Sequence, residues 1–194
     1  MNLVKGLAAI LIGSLVSCTA VAQTMQMATE RSETQTSSQL LVTSSAFQSD
    51  APIPARHSAY GAGISPQLQW SSISEAKSYA LVIEDPDAGS PAPVLHWIVW
   101  NIPSTVTSLP EGLGELGKTL VQGRNSHGTN VYFGPRPPLA DPPHHYHFQV
   151  FALDRMLAVP AGADREAFLS AANGHVIAKG ELVGTYQQAM KPGG

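Results

Sequence analysis

Apolar residues along this chain fall in short blocks rather than in long helical stripes. Between clusters of Gly, Pro, Ser and Asp lie LLVTSSAF from Leu40, QLQWSSI from Gln67, SYALVIED from Ser78, LHWIVWNI from Leu95, YHFQVFALD from Tyr146 and VIAKGELVGTY from Val176. Blocks of about four to eight residues bounded by turn formers predict strands. One segment, Asp164–Asn173 (DREAFLSAAN), has helical spacing: an Asp at its start, Phe168, Ala171 and Ala172 three and four apart, and Gly174 as a stop. The predicted fold is mostly β, an antiparallel β-sandwich with one or two short helices near the C-terminus.

The ends read differently. The opening MNLVKGLAAILIGSLVSCTAVAQ has one Lys, an apolar run from Leu7 to Val16 and then small residues, the anatomy of a secretory signal peptide. The run is too short to span a bilayer, which takes about 20 apolar residues. Two processing sites compete: cleavage after Ala20-Val21-Ala22, and a lipobox-like Leu15-Val16-Ser17-Cys18 in which Cys18 would be lipidated. The expected organisation is a signal peptide over 1–22, a flexible leader over 23–38, one domain over 39–188 and a tail over 189–194. The leader (QTMQMATERSETQTSS) has no apolar period and predicts too little burial to offset its ordering entropy. An exported protein is implied, periplasmic or secreted, with a membrane-anchored lipoprotein as the alternative.

Composition narrows the function. The chain of 194 residues is 13% charged, below the roughly 25% of an average soluble domain, and its 17 Gly and 15 Pro fit a loop-rich β fold. A net charge of −3 without any block of Lys or Arg excludes the electrostatic footprint of a nucleic-acid binder. Cys18 is the only cysteine, so no intramolecular disulfide can form.

Strand periodicity indicates which side chains can meet, because residues two apart share a sheet face. His144, Tyr146, Phe148 and Val150 form one set, and His145, His147 and Gln149 the other. Tyr79, Leu81 and Ile83 lead to Asp85, and His96 is expected to share its face with Ile98 and Trp100. Three strands thus bring Asp85, His96 and His144 into line with apolar residues. Buried imidazoles and carboxylates are costly unless paired, so this pattern fits either a shared polar pocket or three separately bonded strand ends.

Ordered motifs add a resemblance. DPDA (Asp85–Ala88), HW (His96, Trp97), NIP (Asn101–Pro103), GRNSHG (Gly123–Gly128), YFGPRPP (Tyr132–Pro138) and HHY (His144–Tyr146) resemble the two signature regions of the phosphatidylethanolamine-binding protein family, closest to its bacterial, Raf kinase inhibitor-like branch. GISPQLQW and AKGELVGTY extend the resemblance to about 150 residues. It implies a sandwich of two antiparallel sheets with a small anion pocket built from Asp85, Asp87, His96, Gly134, Pro135, His144 and Tyr146. It also implies a non-enzymatic binding protein for phosphate-like anions or phospholipid head groups, with no cofactor. Kinase or protease inhibition and a homodimer are further implications.

Within that pocket, Asp85 or Asp87 is expected to orient a histidine or accept a head-group ammonium. His96 and His144 are expected to donate to anion oxygens with Tyr146 assisting, so that binding weakens as pH rises through the histidine range. Gly134 offers a backbone amide free of a Cβ. The proline-rich GPRPPLADPP run is expected to be a stiff, extended wall. Asp85–Pro86 and the 134–143 run are candidates for cis bonds. Three departures from the family pattern stand out: Gly89 where Pro is usual, Arg136 where a small residue is common, and LADPPH in place of a Gly-rich approach to the histidine. Arg136 reads as a solvated loop residue or a cation at the rim.

Two rival chemistries attach to neighbouring residues. His144, His145, His147 and Asp141 crowd together as candidate metal ligands, although the strand period divides them and no H-E-x-x-H pair accompanies them. Ser126 beside His127 is a candidate hydrolase pair, but the G-x-S-x-G elbow is absent.

Overall fold

The computed structural model describes residues 26–113, 117 and 119–188. The expected signal peptide, Cys18 and the expected tail lie outside the described residues.

Among the described residues, nine strands form two sheets. The smaller contains β1 (Val42–Thr43), β3 (Leu68–Trp70) and β6 (Ser108–Leu109), in the order β1-β3-β6. The larger has the order β2-β9-β8-β4-β5-β7, made from β2 (Ala51–Pro52), β4 (Ser78–Asp85), β5 (Val94–Pro103), β7 (Val121–Gln122), β8 (His144–Leu153) and β9 (Val176–Tyr186). Every strand pair is antiparallel except β2 with β9. The sandwich expected from the sequence is therefore present. The first two predicted strands shrink to β1 and β3, and β2, β6 and β7 are two-residue pairings too short to leave a periodic signal.

The inner core lies between the sheets, where Val42, Leu68, Trp70 and Leu109 meet Tyr79, Leu81, Ile83, Trp97, Val99, Phe148 and Val150. A second core covers the outer face of the large sheet. Ala80, Val82, Ile98, Trp100, Phe151 and Leu153 pack there against Phe168, Leu169 and Ala172. Those three belong to helix α1 (Arg165–Ala172), whose N-terminus is capped by the Asp164 side chain accepting from Ala167 N–H at 3.0 Å. With both faces covered, all eight residues of β4 are buried.

The segment before residue 39 departs from expectation. From Gln26 it is folded onto the outer sheet face, with single 3-10 turns at Ala28–Glu30 and Ser32–Thr34 and with Ala28, Arg31 and Thr34 buried. Its anchors are polar. Fully buried Glu84 accepts from Ala28 N–H and from Gln149 Nε2, both at 2.7 Å, and also pairs with Arg165. Gln149 Oε1 accepts from Thr29 N–H at 2.7 Å, and Arg31 makes a two-pronged contact with Glu166 at 3.0 Å. Apolar periodicity does not register this docking, because the anchoring groups are backbone amides and the Arg31 guanidinium.

Candidate functional site

The site forms where β4, β5 and β8 end together, facing the 126–141 loops. β8 runs antiparallel to β4, so the start of one lies beside the end of the other. His144, the first residue of β8, is thereby placed next to Asp85, the last of β4: His144 Nδ1 is 2.8 Å from Asp85 Oδ2. The second oxygen, Asp85 Oδ1, accepts the Asp87 backbone N–H at 2.8 Å. Both Asp85 and His144 are buried.

His96 arrives by a different route. Glu84 pairs with Leu95 and Ile83 with Trp97, so β5 carries one extra residue at His96. This bulge turns two consecutive residues, His96 and Trp97, to the inner side, while Leu95, Ile98 and Trp100 belong to the outer core. The expected shared face of His96 with Ile98 and Trp100 is thus corrected. Strict alternation would have sent the imidazole to the outer face; the bulge re-aims it at Asp85, with Nε2 at 4.0 Å from Asp85 Oδ2.

Asp85, His96 and His144 open into one cavity of about 220 Å³. Val94 and Phe133 complete its apolar lining, and Ala88, His127, Arg136, Pro138 and Asp141 stand around it. Arg136 is exposed, so it sits at the rim as a free-standing cation rather than in the floor. His127 packs tilted against Phe133 with ring centroids 3.6 Å apart, and Phe133 stacks in turn on His96 at 5.6 Å. Asp141 places its carboxylate 3.5 Å from His144 Nε2.

The hydrogen bonds decide what each imidazole can offer. His96 Nδ1 lies 2.8 Å from the Phe133 carbonyl, which can only accept, so Nδ1 carries the proton and Nε2 of the neutral ring is an acceptor. Burial lowers the His96 pKa, against the smaller upward pull of the Phe133 carbonyl and Asp85. At neutral pH His96 Nε2 can therefore accept a hydrogen bond rather than donate one, the reverse of what the sequence suggested. His144 Nδ1 donates to Asp85 in the same way. In a doubly protonated ring, Nε2–H would face the cavity.

The remaining expected site residues support the pocket without lining it. Asp87 accepts both the backbone N–H and Nδ1 of His145 at 2.8 Å, tying the turn after β4 to the start of β8. Tyr146 packs beneath both imidazoles, edge-on to His96 with centroids 5.1 Å apart and stacked on His144 at 6.5 Å. Its buried hydroxyl makes no hydrogen bond among the described residues, and burial first, then nearby Asp85, raise the phenol pKa. Gly134 meets backbone rather than ligand: a Cβ there would stand 2.4 Å from the His57 carbonyl oxygen. Pro135 is buried behind the wall and its carbonyl accepts from Ala59 N–H at 3.0 Å.

The proline-rich wall is not extended throughout. It turns at Ala140, which has φ of 77°, and every peptide bond among the described residues is trans. Because prolines donate no hydrogen bond, the wall is held through its carbonyls: Tyr60 Oη donates to Pro137 O at 2.7 Å and Gln187 Nε2 to Asp141 O at 3.0 Å.

The rival constellations are dispersed. His145 pairs with Asp87 and His147 with Glu181, away from His144, and among the described residues no group of three His, Cys, Asp or Glu side chains is placed to hold a metal ion. The Ser126 hydroxyl accepts from Leu95 N–H at 2.9 Å and faces a neighbouring groove, whereas His127 faces the cavity.

Two residues at the mouth, His127 and Asp141, were singled out in the sequence only for these rival chemistries and not as pocket residues. The available signal was their position within the motif GRNSHG and within LADPPH, the approach to His144.

Comparison with known proteins supplies the family and the fold. The phosphatidylethanolamine-binding protein family model matches residues 43–187. The UPF0098 protein of Chlamydia muridarum is 45% identical over 154 residues, spanning 76% of this chain and 98% of the relative. That of Pyrococcus horikoshii is 44% identical over 154 residues, 76% of this chain and 77% of its own length. Among solved structures, a phosphatidylethanolamine-binding protein homolog from Chlamydia trachomatis superposes with a TM-score of 0.72 at 40% identity, covering 79% of this chain and 100% of its own. Escherichia coli YbcL, described as a member of the mammalian family, gives 0.72 at 33% identity over 78% and 100%. With the family model matching residues 43–187 and relatives more than 40% identical along most of their length, this chain belongs to the phosphatidylethanolamine-binding protein family.

Proposed function

We propose that this protein is a non-enzymatic binding protein whose strand-end cavity accepts a small phosphate-bearing group, either a free phosphate ester or a phospholipid head group. The observation that carries this reading is the convergence of His96, His144 and Arg136 on one cavity of about 220 Å³. That volume suits a head group rather than a whole lipid, since sites for drug-sized ligands start at about 300 Å³. Arg136 supplies a permanent cation at the mouth, and His144 supplies Nε2–H when doubly protonated. His96 Nε2 accepts from a ligand hydroxyl, ammonium or protonated phosphate oxygen. Asp85 holds the tautomer of His144.

Calorimetric titration with phosphoethanolamine tests the reading. Arg136→Ala and His144→Ala should each weaken binding about tenfold or more, in line with loss of a charge-assisted hydrogen bond. Unchanged affinity in both variants would remove the pocket from the function.

On this reading the protein is exported by its first 22 residues, with lipidation at Cys18 as the alternative route, and the intact mass of the exported protein separates the two. A regulatory role against a kinase or protease would place the same pocket at a protein interface. Retention of full inhibition by His96→Ala/His144→Ala would then exclude the pocket from that interface. Self-association as a homodimer is part of the proposal and is read by light scattering.

A further inference from the structure

The charges around the cavity do not favour a simple phosphate. Two carboxylates face it, Asp85 and Asp141, against the single permanent cation Arg136. Burial keeps His96 uncharged at neutral pH, so it adds no second cation. Asp85 is already committed, accepting from His144 on one oxygen and from the Asp87 amide on the other.

Asp141 is placed differently. The turn at Ala140 reverses the chain, the Asp141 N–H reaches back to Pro138 O at 3.3 Å, and its carbonyl accepts from Gln187. The backbone is thus held on both sides while the carboxylate, 45% exposed, stands 3.5 Å from His144 Nε2. That nitrogen is the atom of His144 left to meet a ligand. A phosphate oxygen approaching it comes up against the Asp141 carboxylate.

Resting on the pocket reading above, we infer that Asp141 is a specificity-determining residue whose carboxylate, standing 3.5 Å from His144 Nε2 where a ligand would approach, discriminates against simple phosphate dianions. A ligand that carries its own cation beside the phosphate presents that cation to Asp141 and escapes the repulsion. Like charges about 4 Å apart at a protein surface repel enough to change affinity by about tenfold or more.

Asp141→Asn keeps the shape and both backbone hydrogen bonds while removing the charge. Inorganic phosphate and phosphoethanolamine are titrated into the wild-type protein and this variant at neutral pH. The wild type should prefer phosphoethanolamine, and the variant should narrow the ratio of the two affinities by about tenfold, mainly by tightening inorganic phosphate. Asp154→Asn, beyond the opposite end of β8, changes the net charge equally and should leave both affinities as they are. The inference is overturned if Asp141→Asn alters neither affinity, alters both by the same factor, or is matched by Asp154→Asn. If no probe binds either the wild type or Asp141→Asn, the pocket reading itself fails and takes this inference with it. A wild type that binds both probes equally, with Asp141→Asn unchanged, leaves the pocket reading standing and removes only the role of Asp141.

Discussion

Asp85 Oδ2 and His144 Nδ1 lie 2.8 Å apart, although 58 residues separate them in the chain. Both are buried, and the pair rests on the antiparallel register of β4 against β8 rather than on any local motif. Asp85→Ala should leave the His144 donor and the Asp87 amide without their acceptor. The expected cost is about 3–5 kcal/mol of stability, as for breaking a buried, hydrogen-bonded ionisable pair, with loss of phosphoethanolamine binding. Urea denaturation with parallel titration measures both. A variant as stable as wild type would mean that the pair does not organise this end of the sandwich.

Stability should fall as pH is lowered, in a way traceable to His96. Its pKa in the folded protein is depressed by burial below the ordinary value of 6.5, so the unfolded chain takes up a proton first. The contribution is present above about pH 6.5 and is lost as pH falls toward and through the depressed value. The thermal midpoint should decline between pH 7.5 and 5, on the order of a few degrees, and His96→Gln should flatten that slope. Equal slopes in the two proteins would place the titration elsewhere.

The docked N-terminal segment should report on buried Glu84. Glu84→Ala removes the acceptor shared by Ala28 N–H, Gln149 and Arg165, which leaves a buried guanidinium without that carboxylate. A loss of about 3–5 kcal/mol is expected. In native-state hydrogen exchange, the amides of Ala28 and Thr29 should lose protection before those of β4 and β8. Full protection of both amides in the variant would show that the segment is held by other contacts.

Six of the nine strands among the described residues, two of them shorter than expected, the helix with its Asp164 cap, and the two faces of β8 were legible in the order of residues. Each depends on interactions along a single element: alternation along a strand, a side chain reaching three residues ahead, a glycine after the last helical turn. The placing of Asp85 and His144 in line with the apolar residues of their strands was legible for the same reason, whereas the grouping of Asp85, His96 and His144 in one pocket came from the ordered motifs and not from periodicity.

Tertiary structure decided how those residues combine. The face of His96 depends on one extra residue in β5, and a bulge is a mismatch between two strands that neither contains alone. The direction of its hydrogen bond depends on a carbonyl 37 residues away, which turns an expected donor into an acceptor. Residues 26–38 look unable to fold by their own apolar content, yet they meet Glu84 and Gln149, side chains on strands far along the chain that bind backbone rather than bury side chains. Local sequence constrains dihedral preference and periodicity; pairing register, buried hydrogen bonds and the facing of charges across a cavity are relations between distant segments, and they exist only once the chain has folded.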